Sequence, residues 1–259
     1  MTSKEKLFKI KSFCVYYGRG RSEELSQFDL VVVEPLGHDV EDIKQIQKSG
    51  TLVIAYLSVM EILSGSEQFK ILVENDFLNI NGKRIKNKEY GTFIIDIRSK
   101  SWNLILEHTI NHFIYHIGYD GIFLDTIGDV EWSEIPNEYR DSVLLAAVNF
   151  VQRTRIQFPE SIIIQNNGLV ELCQLTSPYL DGLCWENPSS SSREDLKWSK
   201  IVAKKLKFLK KKEKLTIFLL IENTSQSRSG FVLKLARKNR FLTYLAPIQY
   251  TQNIIPPQI

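Results

Sequence analysis

The sequence is short of most features that settle a function at sight. It has three cysteines, two methionines, four histidines and eight prolines in 259 residues. Cys14, Cys173 and Cys184 are too few for a disulfide framework or a four-thiolate metal site, and they read as buried thiols of a reducing compartment. No stretch approaches the roughly 20 apolar residues that span a membrane. The first ten residues, Met1 to Ile10, lack the apolar run of a secretory signal. The chain as given is therefore expected in the cytoplasm, and outside the cell only if an export segment precedes it. No Gly-x-Gly-x-x-Gly follows the first apolar run, which weakens a dinucleotide-binding layout. No serine–histidine–aspartate or cysteine–histidine order falls on strand ends. Net charge is nearly absent too, at +3, but that figure hides a segregation. Residues 197–214 hold nine lysines against the single acid Glu213, a local +8 that leaves −5 for the rest. Apolar residues at helical spacing separate those lysines, and no nucleic-acid motif lies beside them. The stretch reads as an amphipathic surface helix, and neither nucleic acid nor membrane is expected as a partner.

What is present is a set of eight short apolar runs: Phe13–Tyr17, Asp29–Glu34, Leu52–Leu57, Gly121–Asp125, Ser161–Asn166, Asp181–Glu186, Thr216–Ile221 and Phe241–Leu245. Several are continuous and β-branched (Leu30-Val-Val-Val, Ile162-Ile-Ile), the pattern of parallel strands covered on both faces. Helical patterns fall between most of them, at Asp39–Lys48, Ser101–Ile117, Glu138–Phe158, Leu169–Leu175, Ser192–Leu209 and Gly230–Asn239. The first connection, Gly18–Gln27, has room only for a short helix. Eight strands alternating with helices predict one α/β domain over residues 1–259, a (β/α)8 TIM barrel. Its one irregularity is a long insertion after strand three, Met60–Thr92, polar and expected to arch over the barrel mouth.

In such barrels the chemistry lies at the carboxyl ends of the strands. There the sequence offers Tyr17, Glu34, Ser58 with Glu61 just beyond, Asp125, Asn166-Asn167, Glu186 and Glu222. A carboxylate directly after an apolar run costs free energy to desolvate, so one alone signals a cap or an ion pair. Glu34, Asp125, Glu186 and Glu222 together form an acidic rim. Such a rim suits paired-carboxylate glycoside hydrolysis or a divalent cation held by oxygens.

The run Gly118-Tyr-Asp-Gly-Ile-Phe-Leu-Asp125-Thr, preceded by Ile95-Asp96-Ile-Arg98-Ser-Lys-Ser-Trp102, resembles glycoside hydrolase family 114, the endo-α-1,4-polygalactosaminidases. Val53-Ile-Ala-Tyr56-Leu-Ser58-Val-Met60-Glu61, Gln165-Asn166-Asn167-Gly168 and Tyr179-Leu-Asp181-Gly182-Leu-Cys-Trp-Glu186 resemble further segments of that family in the same order. The resemblance implies a barrel hydrolase that cuts inside chains of α-1,4-linked galactosamine, without cofactor or metal. It implies Asp125 and Glu186 as the catalytic pair, Asp125 as nucleophile or base and Glu186 as acid, with the reverse order also open. The expected substrate-binding set is Tyr17, Glu34, Tyr56, Ser58, Glu61, Asn166, Asn167, Trp185, Glu222 and Tyr250. Within it the four aromatics offer flat faces for sugar rings or belong to the core. Asn166 and Asn167 bind hydroxyls or shape turns, and Glu34 and Glu61 meet the substrate ammonium. Trp185 and Pro188 are expected to desolvate Glu186 and raise its pKa. Met60 stands where the family is expected to have glycine, and it is expected to fill part of the mouth.

Three other features point elsewhere. His108, His112 and His116 have the spacing of a zinc helix, but the apolar set Trp102, Leu106, Ile110 and Phe113 lies on another face, so they are expected in solvent. Asp96 and Arg98 are expected to pair and to cap the helix near Ser101. The segment from Asn223 to Gly230, with Arg228 and Ser229, follows strand seven, where many barrels bind phosphate. A sugar-binding barrel without catalysis and a phosphate-sugar enzyme are thus the alternatives. The chain is expected to act as a monomer on a polysaccharide or oligosaccharide.

Overall fold

The computed structural model describes residues 2–189, 191–222, 226–247, 250 and 254, and for residues 226–229 the backbone alone. Eight parallel strands form one sheet in sequence order: β1 (Phe13–Tyr16), β2 (Leu30–Val33), β3 (Leu52–Ser58), β4 (Gly121–Asp125), β5 (Ile162–Asn166), β6 (Gly182–Glu186), β7 (Thr216–Glu222) and β8 (Leu242–Ala246). Each predicted run lies within one residue of a strand at either end. The sheet curls until β1 meets β8. Across that seam the Phe13 ring packs on Tyr244 at 5.9 Å, and the Tyr17 N–H donates to the Tyr250 carbonyl at 2.7 Å. The protein is a (β/α)8 barrel.

Two apolar layers follow from the period-two alternation of strand side chains. Ile54, Phe123, Ile164, Cys184, Phe218 and Tyr244 fill the barrel interior. Their neighbours Leu57, Leu124, Ile163, Leu183, Trp185 and Leu219 face outward and pack beneath the helices. Gly121 opens β4 where its neighbour comes close: a Cβ there would lie 2.1 Å from the Ile162 carbonyl oxygen. Acids also pin the strand starts at the far end of the barrel. Asp120 Oδ2 accepts from the Val53 N–H at 3.0 Å, and Asp181 Oδ2 from the Ile163 N–H at 2.9 Å.

The covering helices run Val40–Lys48, Lys100–Asn111, Asn137–Gln157, Leu172–Thr176, Arg193–Glu213 and Gln226–Asn239. The lysine-rich helix buries Val202, Ala203, Leu206 and Leu209 and keeps its charge outside, as its pattern predicts. It begins with a capping box, Ser192 with Asp195, and ends in a turn of lysines that complements the helix dipole. Ser99, rather than Asp96, caps the helix from Lys100; Asp96 and Arg98 pair at 2.7 Å. His108, His112 and His116 are exposed, and no cluster of metal-ligating residues occurs among the described residues. No helix among them is long and apolar enough to cross a membrane.

The insertion is more than the polar arch expected of it. Glu61–Leu63, Thr92–Ile94 and Lys86–Asn87 make a small antiparallel sheet, and Asn79–Ile80 pairs with Lys83–Arg84 around an Asn81-Gly82 turn. Asn81 and Gly82 both take positive φ, 52° and 74°, which is what a two-residue hairpin turn requires. Phe69, Phe77 and Phe93 form its apolar side, and Arg84 stacks 3.8 Å over Phe77. Met60 is fully buried in the layer beneath this sheet. It fills core and not mouth, because the chain turns after Ser58 and Val59 and Met60 both enter the outer core.

Candidate active site

Inward parity carries one side chain from each of β3 to β7 to the carboxyl-end opening: Tyr56, Asp125, Asn166, Glu186 and Glu222. Asp125, Asn166 and Glu186 end three consecutive strands, and a single amide joins them. Asn166 Nδ2 donates to Asp125 Oδ1 at 2.6 Å and to Glu186 Oε2 at 2.5 Å. Two bonds from one nitrogen hold those oxygens no farther apart than the summed lengths, about 5.1 Å. A phenol completes each side. Tyr56 Oη donates to Asp125 Oδ2 at 2.8 Å, and Tyr250 Oη to Glu186 Oε1 at 2.8 Å. Tyr17 lies between the phenols, its ring 4.7 Å from that of Tyr56 and 5.4 Å from that of Tyr250.

Burial sets the protonation of this group. It raises the Glu186 carboxyl to about 7, and the nearby Asp125 charge adds to the effect. Asp125 is raised above the usual carboxylate range by the same burial. The hydrogen bonds from Asn166, Tyr56 and the Thr126 N–H act against it and favour the anion. Two carboxyls this close titrate as a pair, and near neutrality the pair keeps a proton. Asp125 has one backbone donor more than Glu186, from Thr126, and that donor favours its anion. Tyr17, Tyr56 and Tyr250 are all raised, chiefly by burial, and remain donors.

The residue after each of these three strand ends is left-handed without being glycine: Thr126 at φ 58°, Asn167 at 53° and Asn187 at 43°. Each uses its side chain to lock a neighbouring strand. Thr126 Oγ1 accepts from the Val59 and Met60 N–H groups at 3.0 and 2.8 Å. Asn167 Oδ1 accepts from the Glu186 N–H at 3.1 Å, and Asn187 Oδ1 from the Glu222 N–H at 2.8 Å. Asn187 Nδ2 also reaches Tyr250 Oη at 3.2 Å. A β-branched residue in this region is strained, and the threonine is held there by its own hydrogen bonds.

Several expected site residues serve other ends. Trp185 is buried in the outer layer: one residue before Glu186, it points away from the mouth and cannot desolvate it. Asn167 latches Glu186 in place. Ser58 donates to the Glu61 carbonyl at 2.8 Å and contacts Thr126 Oγ1 at 3.2 Å, closing the turn after β3. Both oxygens of Glu61 are taken by the insertion, Oε1 by Asn87 Nδ2 at 2.8 Å and Oε2 by Thr92 Oγ1. Glu34 caps the turn Pro35–Gly37 through the Leu36 N–H at 3.1 Å, and burial raises its pKa. Tyr56 and Tyr250 act through their hydroxyls, not their faces. Sequence reasoning missed Asn187 and Asp129. Burial and the charges of Glu61 and Asp125 hold Asp129 neutral, with a pKa of about 9. The signal for Asn187 was available, since Asn166-Asn167 and Glu186-Asn187 both put asparagine, tolerant of the left-handed region, just past a strand end. The side chains of Arg228 and Ser229, and residues 223–225, lie outside the described residues.

Fold and site together define a barrel enzyme with a carboxylate pair at the carboxyl ends of its strands. The model of glycoside-hydrolase family GH114 matches residues 3–215, and the chain belongs to that family. It is a glycosidase. Among solved structures it resembles the glycoside hydrolase domain of PelA from Pseudomonas aeruginosa, with 19% identity over 93% of this chain and 96% of that one and a TM-score of 0.77. Aspergillus fumigatus Ega3, solved in complex with galactosamine, is 11% identical over 97% and 96% of the two chains, with a TM-score of 0.70. An α-galactosidase from Thermus thermophilus in complex with stachyose is 13% identical over 94% and 62%, with a TM-score of 0.61. No curated protein matches the chain.

Proposed function

We propose that the protein hydrolyses α-1,4-linked galactosamine polysaccharide at internal bonds, with Asp125 as nucleophile and Glu186 as general acid. The observation that carries this reading is the shared Asn166 amide, which keeps the two carboxyls within about 5.1 Å at their nearest oxygens. Retaining glycosidases separate the pair by about 5–5.5 Å, whereas inverting ones need about 6.5–9.5 Å to admit a water. A nearest approach no wider than about 5.1 Å leaves little room for such a water, which supports retention. Glu186, protonated near pH 7, gives its proton to the departing glycosidic oxygen while Asp125 attacks the anomeric carbon. The bond to Asp125 then yields to a water from which Glu186 takes the proton back. Tyr56 and Asn166 hold the attacking carboxylate; Tyr250, Asn166 and Asn167 hold the acid.

Galactosamine as the substrate unit is supported by family membership and by the galactosamine complex of Ega3. The rim of Glu34, Glu186 and Glu222 suits a polymer of ammonium-bearing sugars. The whole chain serves as one catalytic unit, and a monomer suffices because each named group comes from one chain. Three buried free thiols favour a reducing compartment, the cytoplasm. The reading is tested by Asp125→Asn and Glu186→Gln, with reducing-end release from α-1,4-galactosamine polymer as the assay. Each substitution is expected to lower turnover at least a hundredfold. Turnover at the unsubstituted level in either variant would contradict the assignment.

A further inference from the structure

A tyrosine hydroxyl both gives and takes a hydrogen bond, so Tyr250 beside a protonated Glu186 has two arrangements. It gives its hydrogen to the carboxyl, or it takes the carboxyl's proton. In the second arrangement that proton is spent inside the protein and withheld from the glycosidic oxygen. Asn187 decides between them. Its Oδ1 accepts from the Glu222 N–H at 2.8 Å. A backbone N–H can only give, so that end of the amide is the oxygen and the other end is the nitrogen. The main chain fixes the residue as well: the Asn187 N–H donates to the Leu220 carbonyl at 2.9 Å, with φ at 43°. Nδ2 then lies 3.2 Å from Tyr250 Oη, where it can only give. The phenol oxygen takes that bond and turns its own hydrogen to Glu186 Oε1, 2.8 Å away. Asn166 Nδ2 gives to Oε2, so both oxygens of the acid accept. Tyr250 is itself held in place, its carbonyl by the Tyr17 N–H at 2.7 Å and its ring 5.4 Å from that of Tyr17. It follows β8, beyond the residues 3–215 that the family model matches.

We propose that Asn187 is a positioning residue of the hydrolysis: by donating to Tyr250 it makes the phenol donate to Glu186, and the acid's proton is left for the departing oxygen. The inference rests on Glu186 as the general acid and deepens that reading. A water in place of the amide would give or take, and both arrangements would return. Glycine suits a left-handed backbone at least as well, so the backbone alone does not call for the asparagine side chain.

The experiment uses two substitutions that a left-handed backbone accepts, Asn187→Gly and Asn187→Asp. Glycine removes the amide. Aspartate keeps an acceptor for the Glu222 N–H but offers Tyr250 an acceptor in place of the donor. Both are expected to lower kcat on an α-1,4-galactosamine oligosaccharide about three- to tenfold, the worth of a neutral hydrogen bond, with KM little changed. Both are also expected to move the alkaline limb of kcat/KM to higher pH, because Glu186 loses a donor to its anion. In a Tyr250→Phe background, Asn187→Gly is expected to cost less than twofold, since no hydroxyl is left to orient. Full activity in Asn187→Asp would mean that only the bond to the Glu222 N–H matters, and it overturns the proposal. Losses that multiply in the double variant, or an unmoved pH profile, overturn it as well. Carbon-13 titration of the Glu186 carboxyl needs no substrate and separates the two readings. A pKa raised in both variants supports the positioning role even if the unsubstituted protein leaves the oligosaccharide uncut, a result that would overturn the substrate reading alone.

Discussion

The elevated pKa of Glu186 has two separable causes, and Asp125→Asn removes one of them. Burial is the larger, and the Asp125 charge comes next. The nearest carboxyl oxygens lie within about 5.1 Å of one another. At an effective dielectric of about 20, unit charges at that distance interact by about 3 kcal/mol, or about 2 pKa units. Asparagine at 125 keeps the shape and a hydrogen-bonding carbonyl but not the charge. Glu186 should then titrate clearly below about 7, still above its ordinary 4.5 because burial persists. Carbon-13 NMR of protein labelled at the glutamate carboxyl, titrated from pH 3 to 9, reads this directly. A Glu186 pKa that stays near 7 in the variant would mean that the two carboxyls are not electrostatically paired, and the mechanism would lose its basis.

Three further outcomes follow from the same geometry. Tyr56→Phe removes a donor to Asp125 and should lower kcat by about ten- to a hundredfold with KM nearly unchanged, as a charge-assisted hydrogen bond is worth about 1.5–3 kcal/mol; steady-state kinetics on the polymer checks it. Glu186 binds its proton more tightly folded than unfolded, so the stability it contributes is present below about 4.5 and is lost as the pH rises to about 7. Glu186→Gln should therefore raise Tm by a few degrees at pH 8 and leave it unchanged at pH 4, by calorimetry. Gly121→Ala drives a Cβ to 2.1 Å from the Ile162 carbonyl oxygen, and should cost about 3 kcal/mol or more in chemical denaturation.

Much of the architecture was legible because a parallel barrel writes its strands plainly. Runs such as Leu30–Val33 and Ile162–Ile164 are buried on both faces, so they are continuous and β-branched and stand out from amphipathic helices. The acids just past them, Asp125 and Glu186, were visible for the same reason: a carboxylate at the end of such a run is costly unless it has work to do. Facing was less legible. Trp185 reads as a neighbour of Glu186 along the chain, yet strand alternation puts the two on opposite faces of the sheet. Ser58, Glu61 and Asn167 lie near the mouth, but their polar atoms are consumed by turns and by the insertion, which depends on partners distant in sequence. The insertion hid its strands because Lys83–Arg84 and Lys86–Asn87 are two residues long and charged, and its apolar side comes from three phenylalanines spread over 69–93.

The most direct measurement of the central claim is the anomeric configuration of the first product, followed by proton NMR during hydrolysis of an α-1,4-galactosamine oligosaccharide. The pair held by Asn166 predicts that the new reducing end appears first as the α anomer, before mutarotation. A first-formed β anomer would require a water between the carboxyls, and so a separation larger than the shared amide allows.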